Sequence, residues 1–560
     1  MHIVLAALLV APSTVPAPAT TAFVAQEESA EVSLERGRAL LLEGKLAEAQ
    51  AAFDAAALAE PGPRTRAWVA RGWIASWKID EALEVIEEIK KDPAAEKLVD
   101  YLFGHAFLAL AKREIATTGG GQYTQSQFED ALRHFKLASK TTASSWADLW
   151  LGLAESAWYA QDLEAGHEAA TRAIQLAPKL PQARVVAGRL LFSSYIAEVD
   201  EQAKARLWEK SHATFQEAIA LYGKPAEYAQ QSALADVHAQ CGDLQGWKKD
   251  TAAAIQSYAA AIEWDPAVVK FPQVHSLLGA EAFLTCIEDG ATRFTARAGD
   301  TDARNATTSW WKGFAQFENA KWPESEASFR RAVELWPAFT NSWYYVFRAA
   351  FSQQRYEEAI EALKNYRRID PEGLTATLGG DFARNESVLN GLIGWCADPA
   401  KQKGRVRNDD AAMICEVFTK VQPEVARHWN NLGLFLRDQG DALRMRRGEK
   451  PDPEVLQDLW QRSFAAYERS IELSPKDPNY INDTAVMLHY YLKRDFERAQ
   501  AMYEQSFKYA EEELARTDLS PDDRAVREIA KRDSADNQRR LKKWLELRET
   551  QPDLDPQSVR

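Results

Sequence analysis

His167 and Glu168 stand together as in the first half of a zinc-binding helix, but Ala169-Ala170-Thr171 follow, so the second histidine is missing. Gly119-Gly120-Gly121 has no Lys-Ser/Thr after it and reads as a flexible turn rather than a phosphate loop. No Gly-x-Ser-x-Gly elbow is present to raise a nucleophile. Cys241, Cys286, Cys396 and Cys415 form neither a CxxC nor a Cys/His group with zinc spacing. Cys396 and Cys415 are the nearest pair and could be joined in an oxidising compartment, or all four could be small buried residues. The nine histidines are scattered, and acidic pairs one helical turn apart occur on any charged helix. Asn-x-Ser/Thr sequons begin at Asn305, Asn385 and Asn482, a number chance supplies, and no glycan is assigned to them. These residues assemble no catalytic, metal or cofactor site, and the chain reads as a non-enzyme. Its formal net charge of -14 and the absence of a basic stripe argue against nucleic acid as a partner.

The elements that carry these residues are set by a recurring helical spacing. A small residue is followed four later by a ring or aliphatic, three later by another small residue, and often by Pro. It reads Ala49, Phe53, Ala56, Pro61, and again Ala131, Phe135, Ala138, and Ala254, Tyr258, Ala261, Pro266. Ser325, Phe329, Ala332, Pro337 leads into Ala359, Leu363, Tyr366, Pro371, and later come Ser463, Tyr467, Ser470, Pro475. Offsets of four and three put these side chains on one helical face. Small residues admit a second helix and the ring fills the gap. A second pattern precedes each copy: Trp150/Leu153/Ala154, Trp343/Val346/Phe347, Trp429/Leu432/Gly433, with Gly37, Gly104, Gly188 and Gly313 at the same close-contact point. Each unit is therefore a helix, a turn, a second helix and a break. Pro337 and Pro371 lie 34 residues apart.

On these residues the chain resembles the tetratricopeptide repeat proteins, whose unit is a 34-residue helical hairpin. About ten copies, complete or partial, run from Glu31 to Glu512. The resemblance implies an all-α fold, an α-solenoid of antiparallel hairpins with a C-terminal capping helix. The expected division is a signal peptide over 1–25, an N-terminal array over 31–371, an irregular connector over 372–423, C-terminal repeats over 424–512, and a capping helix with a disordered tail over 513–560. Insertions are expected between the helices at Ile115–Gln127, Tyr195–Glu209 and Asp441–Asp458, and a first helix near His275–Ala282. The apolar run Ile3–Ala11 is too short to span a membrane and lacks a Lys or Arg before it, but its length and the small residues after it fit export to the periplasm or the exterior, the alternative being a disordered leader on a cytoplasmic protein. No other stretch is long and apolar enough to span.

In this family the first helices of successive hairpins line a concave groove that holds segments of other proteins. Carried onto this chain, the groove positions are Trp73 and Trp77, Trp158 and Tyr159, and then Trp310, Phe314 and Phe317. Tyr344, Arg348 and Phe351 follow, and the C-terminal pair supplies Asn430, Asn431 and Arg437 with Asn482, Asp483, His489 and Tyr490. The middle set is aromatic and suits apolar side chains of a peptide. The last set is rich in amides, which can pair with a peptide backbone, while Asp483 opposes an anionic ligand. The reading is an exported scaffold or adaptor binding protein or peptide segments. Its rivals are an architectural subunit of an envelope assembly and an enzyme with a site in the connector.

Overall fold

The computed structural model describes residues 29–402, 406–445 and 451–559, so residues 1–25, expected to be a signal peptide, lie outside the described residues. Among these the chain forms twenty-six α-helices and no strand. They divide into two compact units, one ending at Asn319 and one beginning at Ala320.

The first unit opens with six hairpins: α1 (Ala30–Leu42) with α2 (Leu46–Ala59), α3 (Pro63–Ala75) with α4 (Ile79–Ile89), α5 (Glu96–Thr118) with α6 (Thr124–Ala138), α7 (Ala147–Tyr159) with α8 (Leu163–Leu176), α9 (Pro181–Ala197) with α10 (Glu201–Tyr222), and α11 (Tyr228–Trp247) with α12 (Thr251–Trp264). It closes with α13 (Phe271–Leu278), α14 (Ala280–Ala298) and α15 (Asn305–Glu318). The helix expected near His275–Ala282 is cut in two, because Gly279 takes a left-handed φ of 78° between α13 and α14.

The second unit contains α16 (Trp322–Leu335), α17 (Ser342–Ser352), α18 (Tyr356–Ile369), α19 (Pro371–Gly380), α20 (Phe382–Ala397), α21 (Asn408–Val421), α22 (Ala426–Arg444) and α23 (Pro453–Leu473). It continues through α24 (Pro478–Val486), which runs into a π-helical turn over Met487–Leu492, then α25 (Phe496–Leu514) and α26 (Pro521–Arg548).

In five hairpins the second-helix ring is pressed onto a glycine of the first. A Cβ on Gly37 would lie 2.4 Å from Phe53, on Gly104 2.8 Å from Phe135, on Gly188 2.5 Å from Phe215, on Gly242 2.6 Å from Tyr258, and on Gly433 2.8 Å from Tyr467. All five rings are fully buried. Where the small residue is serine it also bonds the glycine: Ser211 Oγ donates to Gly188 O at 2.9 Å and Ser463 Oγ to Gly433 O at 2.7 Å. The tryptophan that opens the first helix ties it to the preceding break. Trp150 Nε1 donates to Ser144 O and Trp429 Nε1 to Pro423 O, each at 2.8 Å.

The turns repeat as closely as the cores. Gly44, Trp77, Gln161, Lys249 and Gln354 share a left-handed conformation with φ between 60° and 77°. The next N–H reaches back to the first helix in each case, as Lys45 N to Leu40 O, Lys78 N to Trp73 O and Arg355 N to Ala350 O, all at 2.9 Å. This bond satisfies a carbonyl that the helix end would otherwise leave unpaired.

Four expectations change. The insertions are taken up mostly as helix: α5 extends to Thr118, α10 begins at Glu201 and α22 runs to Arg444, which moves the turn outward and leaves the ring contacts in register. Residues 372–423, read as an irregular connector, hold α19, α20 and α21, and the chain divides into compact units at 319/320. Pro371 starts α19 instead of merely ending α18, because Asp370 caps it by accepting from Gly373 N at 2.8 Å. The tail after Gln551 is docked: Trp544 Nε1 donates to Leu554 O at 2.9 Å, and Pro556 and Val559 are buried.

Gly104→Ala is expected to destabilise the protein by about 1–3 kcal/mol, since the overlap with Phe135 outweighs the better helix propensity. Gln354→Gly, at an exposed left-handed turn position, is expected to stabilise by about 1 kcal/mol. Urea or thermal unfolding of the two variants checks both signs.

Candidate functional site

In the first unit, the side chains facing from one first helix to the next are largely used up in bonds to each other. Lys112 on α5 pairs with Glu155 on α7 at 2.8 Å, and Arg189 on α9 pairs with Asp236 on α11. Glu155 raises the Lys112 pKa, and Lys112 in turn overcomes the burial of Glu155 and lowers that of the carboxyl. Trp158 donates to Ser193 Oγ at 3.0 Å and carries the Arg189 guanidinium 5.1 Å over its ring. Tyr159 stacks on Phe128 at 3.9 Å. Nearer the N-terminus Arg71 Nε donates to Tyr101 Oη at 3.0 Å, and Tyr101 donates to Asp148. Trp73 packs against the core, whereas Trp77 sits at a turn and is 52% exposed. Trp310 is buried, stacked parallel to Phe314 with centroids 5.8 Å apart, and Phe314 meets His275 edge-on at 5.7 Å. Phe317 is half-buried on the same helix.

In the second unit, α17 faces α20. Tyr344 Oη donates to Asn385 Oδ1 at 2.9 Å, and Arg348 Nη1 donates to both Tyr344 Oη at 2.9 Å and Asn385 Oδ1 at 3.1 Å. Asn385 is fully buried and also donates to Leu378 O at 3.1 Å. Phe351 packs against Tyr356 at 5.4 Å and near Gly391. Tyr344 and Arg348 thus bind α20, a partner that groove positions alone do not predict. The sequon asparagines 305, 385 and 482 are all buried. The four cysteines are free and buried, and burial pushes each thiol up to about 12. A recess of about 420 Å³ between α18 and α21 is lined by Lys364, Arg367, Arg368, Asp409, Asp410 and Met413. Lys364 pairs there with Asp410 at 2.6 Å and Arg367 with Glu416.

The C-terminal pair is built differently. Asn430 and Asn431 open α22, Arg437 lies two turns further on, and Asn482 and Asp483 occupy the matching positions of α24. Asn482 Oδ1 accepts from Asn537 on α26 at 3.3 Å, so the last helix covers this amide. His489 is also lost to the core: the π-helical turn buries it, stacks it on Tyr490 at 3.8 Å and brings its Nδ1 3.2 Å from Tyr503 Oη. Burial drops its pKa to about 4. Asn430 Oδ1 is buried without a protein partner, and so is the hydroxyl of Tyr467 on α23, a side chain with no exposed surface. Tyr467 stands in the field of Asp483, Arg437, Asp438 and Tyr491. Its role was hidden in the sequence because its ring fills the ordinary core position.

Residues 312–373, which include α16, α17 and α18, match the family model described as tetratricopeptide repeat. The chain is an all-α helical-repeat protein, and residues 312–373 of it are similar to the tetratricopeptide repeat. No curated protein matches it in sequence. Among solved structures, the crystal structure of yeast Tom70 is similar at 13% identity over 93% of this chain and 96% of that chain, with a TM-score of 0.22. The P58(IPK) TPR domain is similar at 14% identity over 79% of this chain and 98% of that one, with a TM-score of 0.18. The Cut9-Hcn1 hetero-tetramer of the APC/C is similar at 13% identity over 90% and 96%, with a TM-score of 0.24.

In this repeat protein the Asp483 carboxylate is held at a cost. Burial pushes its pKa up to about 6, against the opposing pull of Arg437 and of the Asn482 and Asn430 amides. Arg437 makes its ion pair with Asp438 at 2.9 Å, not with Asp483. A carboxyl whose folded pKa is raised binds its proton more tightly folded than unfolded. Stability is therefore lost as pH rises from about 4 to above 6. Asp483→Asn is expected to exceed the parent protein in stability by about 1–2 kcal/mol at pH 7.5, with the difference closing near pH 4. Denaturant unfolding at both pH values reads this.

Proposed function

We propose that this helical-repeat protein is an exported scaffold or adaptor that holds segments of other proteins against the first-helix face of α22 and α24, and that it carries out no chemistry itself. The observation that carries the reading is the pair of buried, unpartnered acceptors there, Asn430 Oδ1 and Tyr467 Oη, beside an ionised group that burial disfavours. Polar atoms buried without partners cost about 1–3 kcal/mol each, and a bound polypeptide offers the missing bonds. The middle positions Tyr344 and Arg348 contribute by holding α20 in place. Trp310 and Phe314 serve as packing between helices. The apolar run Ile3–Ala11 supports export, and no described helix is long and apolar enough to cross a membrane.

Affinity capture from native extract with the full chain, read by quantitative mass spectrometry, tests this. Asn430→Ala is expected to reduce recovery of specific partners by about tenfold with helicity unchanged. Equal recovery by Asn430→Ala and the parent protein would move the binding surface elsewhere.

A further inference from the structure

We infer that the face formed by α22 and α24 takes a cationic peptide segment, with a lysine or arginine side chain seated against the Asp483 carboxylate. The inference rests on the protein-binding reading above and names the chemistry of what is bound.

The charges around the site decide its sign. Five charged side chains of α22 and α24 bear on this site: Arg437, Asp438, Asp441, Arg444 and Asp483. Arg437 is paired with Asp438 at 2.9 Å. Asp441 accepts from Tyr491 Oη at 2.6 Å and pairs with Arg444 at 3.1 Å. Asp483 is left without an ion pair among the described residues, although Arg437 is near enough to act on it. The site therefore carries one uncompensated anion, on a chain whose net charge is already -14. A ligand carboxylate would meet repulsion there and an apolar side chain would strand the charge.

Hydrogen-bonding capacity points the same way. The Asn430 Oδ1 atom accepts only, and Tyr467 Oη can accept. With the Asp483 carboxylate they offer three kinds of oxygen to a donor. An ammonium carries three donors and no acceptor, and a guanidinium five. Tyr467 has no exposed surface, yet its hydroxyl is unpartnered and lies in the field of Asp483 and Arg437. A tyrosine used only for packing would do better as the phenylalanine that stands at this position in α2, α6 and α10. The backbone of the segment falls to Asn431, a half-buried amide on the same face.

The test selects a random 12-residue peptide library displayed on phage against the immobilised full chain, then measures synthetic copies of enriched peptides by fluorescence anisotropy. Enriched peptides are expected to share a Lys or Arg. Replacing it by norleucine, or introducing Asp483→Asn, is expected to weaken binding about tenfold. Circular dichroism melts confirm that Asp483→Asn is folded, and Tyr467→Phe gives a second variant that keeps the ring contact with Gly433. Peptides that depend on Asn430 but carry no cation, or that bind Asp483→Asn as well as the parent protein, would overturn the cationic assignment while leaving the protein-binding reading standing. A selection yielding no peptide sensitive to Asn430→Ala, Tyr467→Phe or Asp483→Asn would overturn both.

Discussion

A glycine on one helix and a ring on the next, in van der Waals contact, govern the geometry of this protein. At Gly37, Gly104, Gly188, Gly242 and Gly433 even a methyl group would collide with the facing ring. The contact sets how near the two helices of a hairpin come, and burying a ring there supplies a large part of each hairpin's stability. Because the ring and its flanking small residues sit on one helical face, the opposite faces are left for the neighbouring hairpin. A regular hairpin with a regular turn then stacks on its copy, and faces of successive first helices come into line.

Alignment of faces has two outcomes, and the two are separable here. Where adjacent first helices carry complementary groups, the face closes on itself. Lys112 with Glu155, Arg189 with Asp236, and Tyr344 with Asn385 are of this kind, and such bonds hold one hairpin to the next. Where the groups do not complement one another, polar atoms stay buried and unpaired. Asn430 Oδ1 and Tyr467 Oη are of that second kind, beside an Asp483 carboxylate that has amide partners but no ion pair among the described residues. A folded chain retains such a cost where something other than folding favours it. Close spacing of hairpins therefore explains both how one hairpin is held to the next and why the face of α22 and α24 keeps buried polar atoms without partners.

The hairpin was legible in the sequence because its determinants are local. Ala254, Tyr258 and Ala261 need only their own helix to define a face, and Gly242 needs only that ring. Long-range choices were less legible. Helical register identifies Tyr344 and Arg348 as facing the next hairpin but says nothing of Asn385, which is 41 and 37 residues away and meets them. The connector looked irregular because Gly379-Gly380 breaks its periodicity, yet the break is only the end of α19, and α20 resumes at Phe382. The tail looked free because its composition is polar, and it docks through the Leu554 carbonyl on Trp544, an ion pair of Asp555 with Lys493, a bond from Arg444 to Gln557, and buried Pro556 and Val559. Tyr467 was read as core, correctly for its ring. One hydroxyl oxygen separates that role from the other, and only the charges around it reveal the difference.

The central claim is that binding takes place on the face of α22 and α24 while the first helices of the N-terminal unit serve to hold the array together. Hydrogen–deuterium exchange of the full chain, with and without a captured partner, tests it most directly. The account predicts new amide protection over 426–444 and 478–492, with 147–159 and 181–197 unchanged. Protection of the latter two segments, with none at α22 and α24, would contradict it.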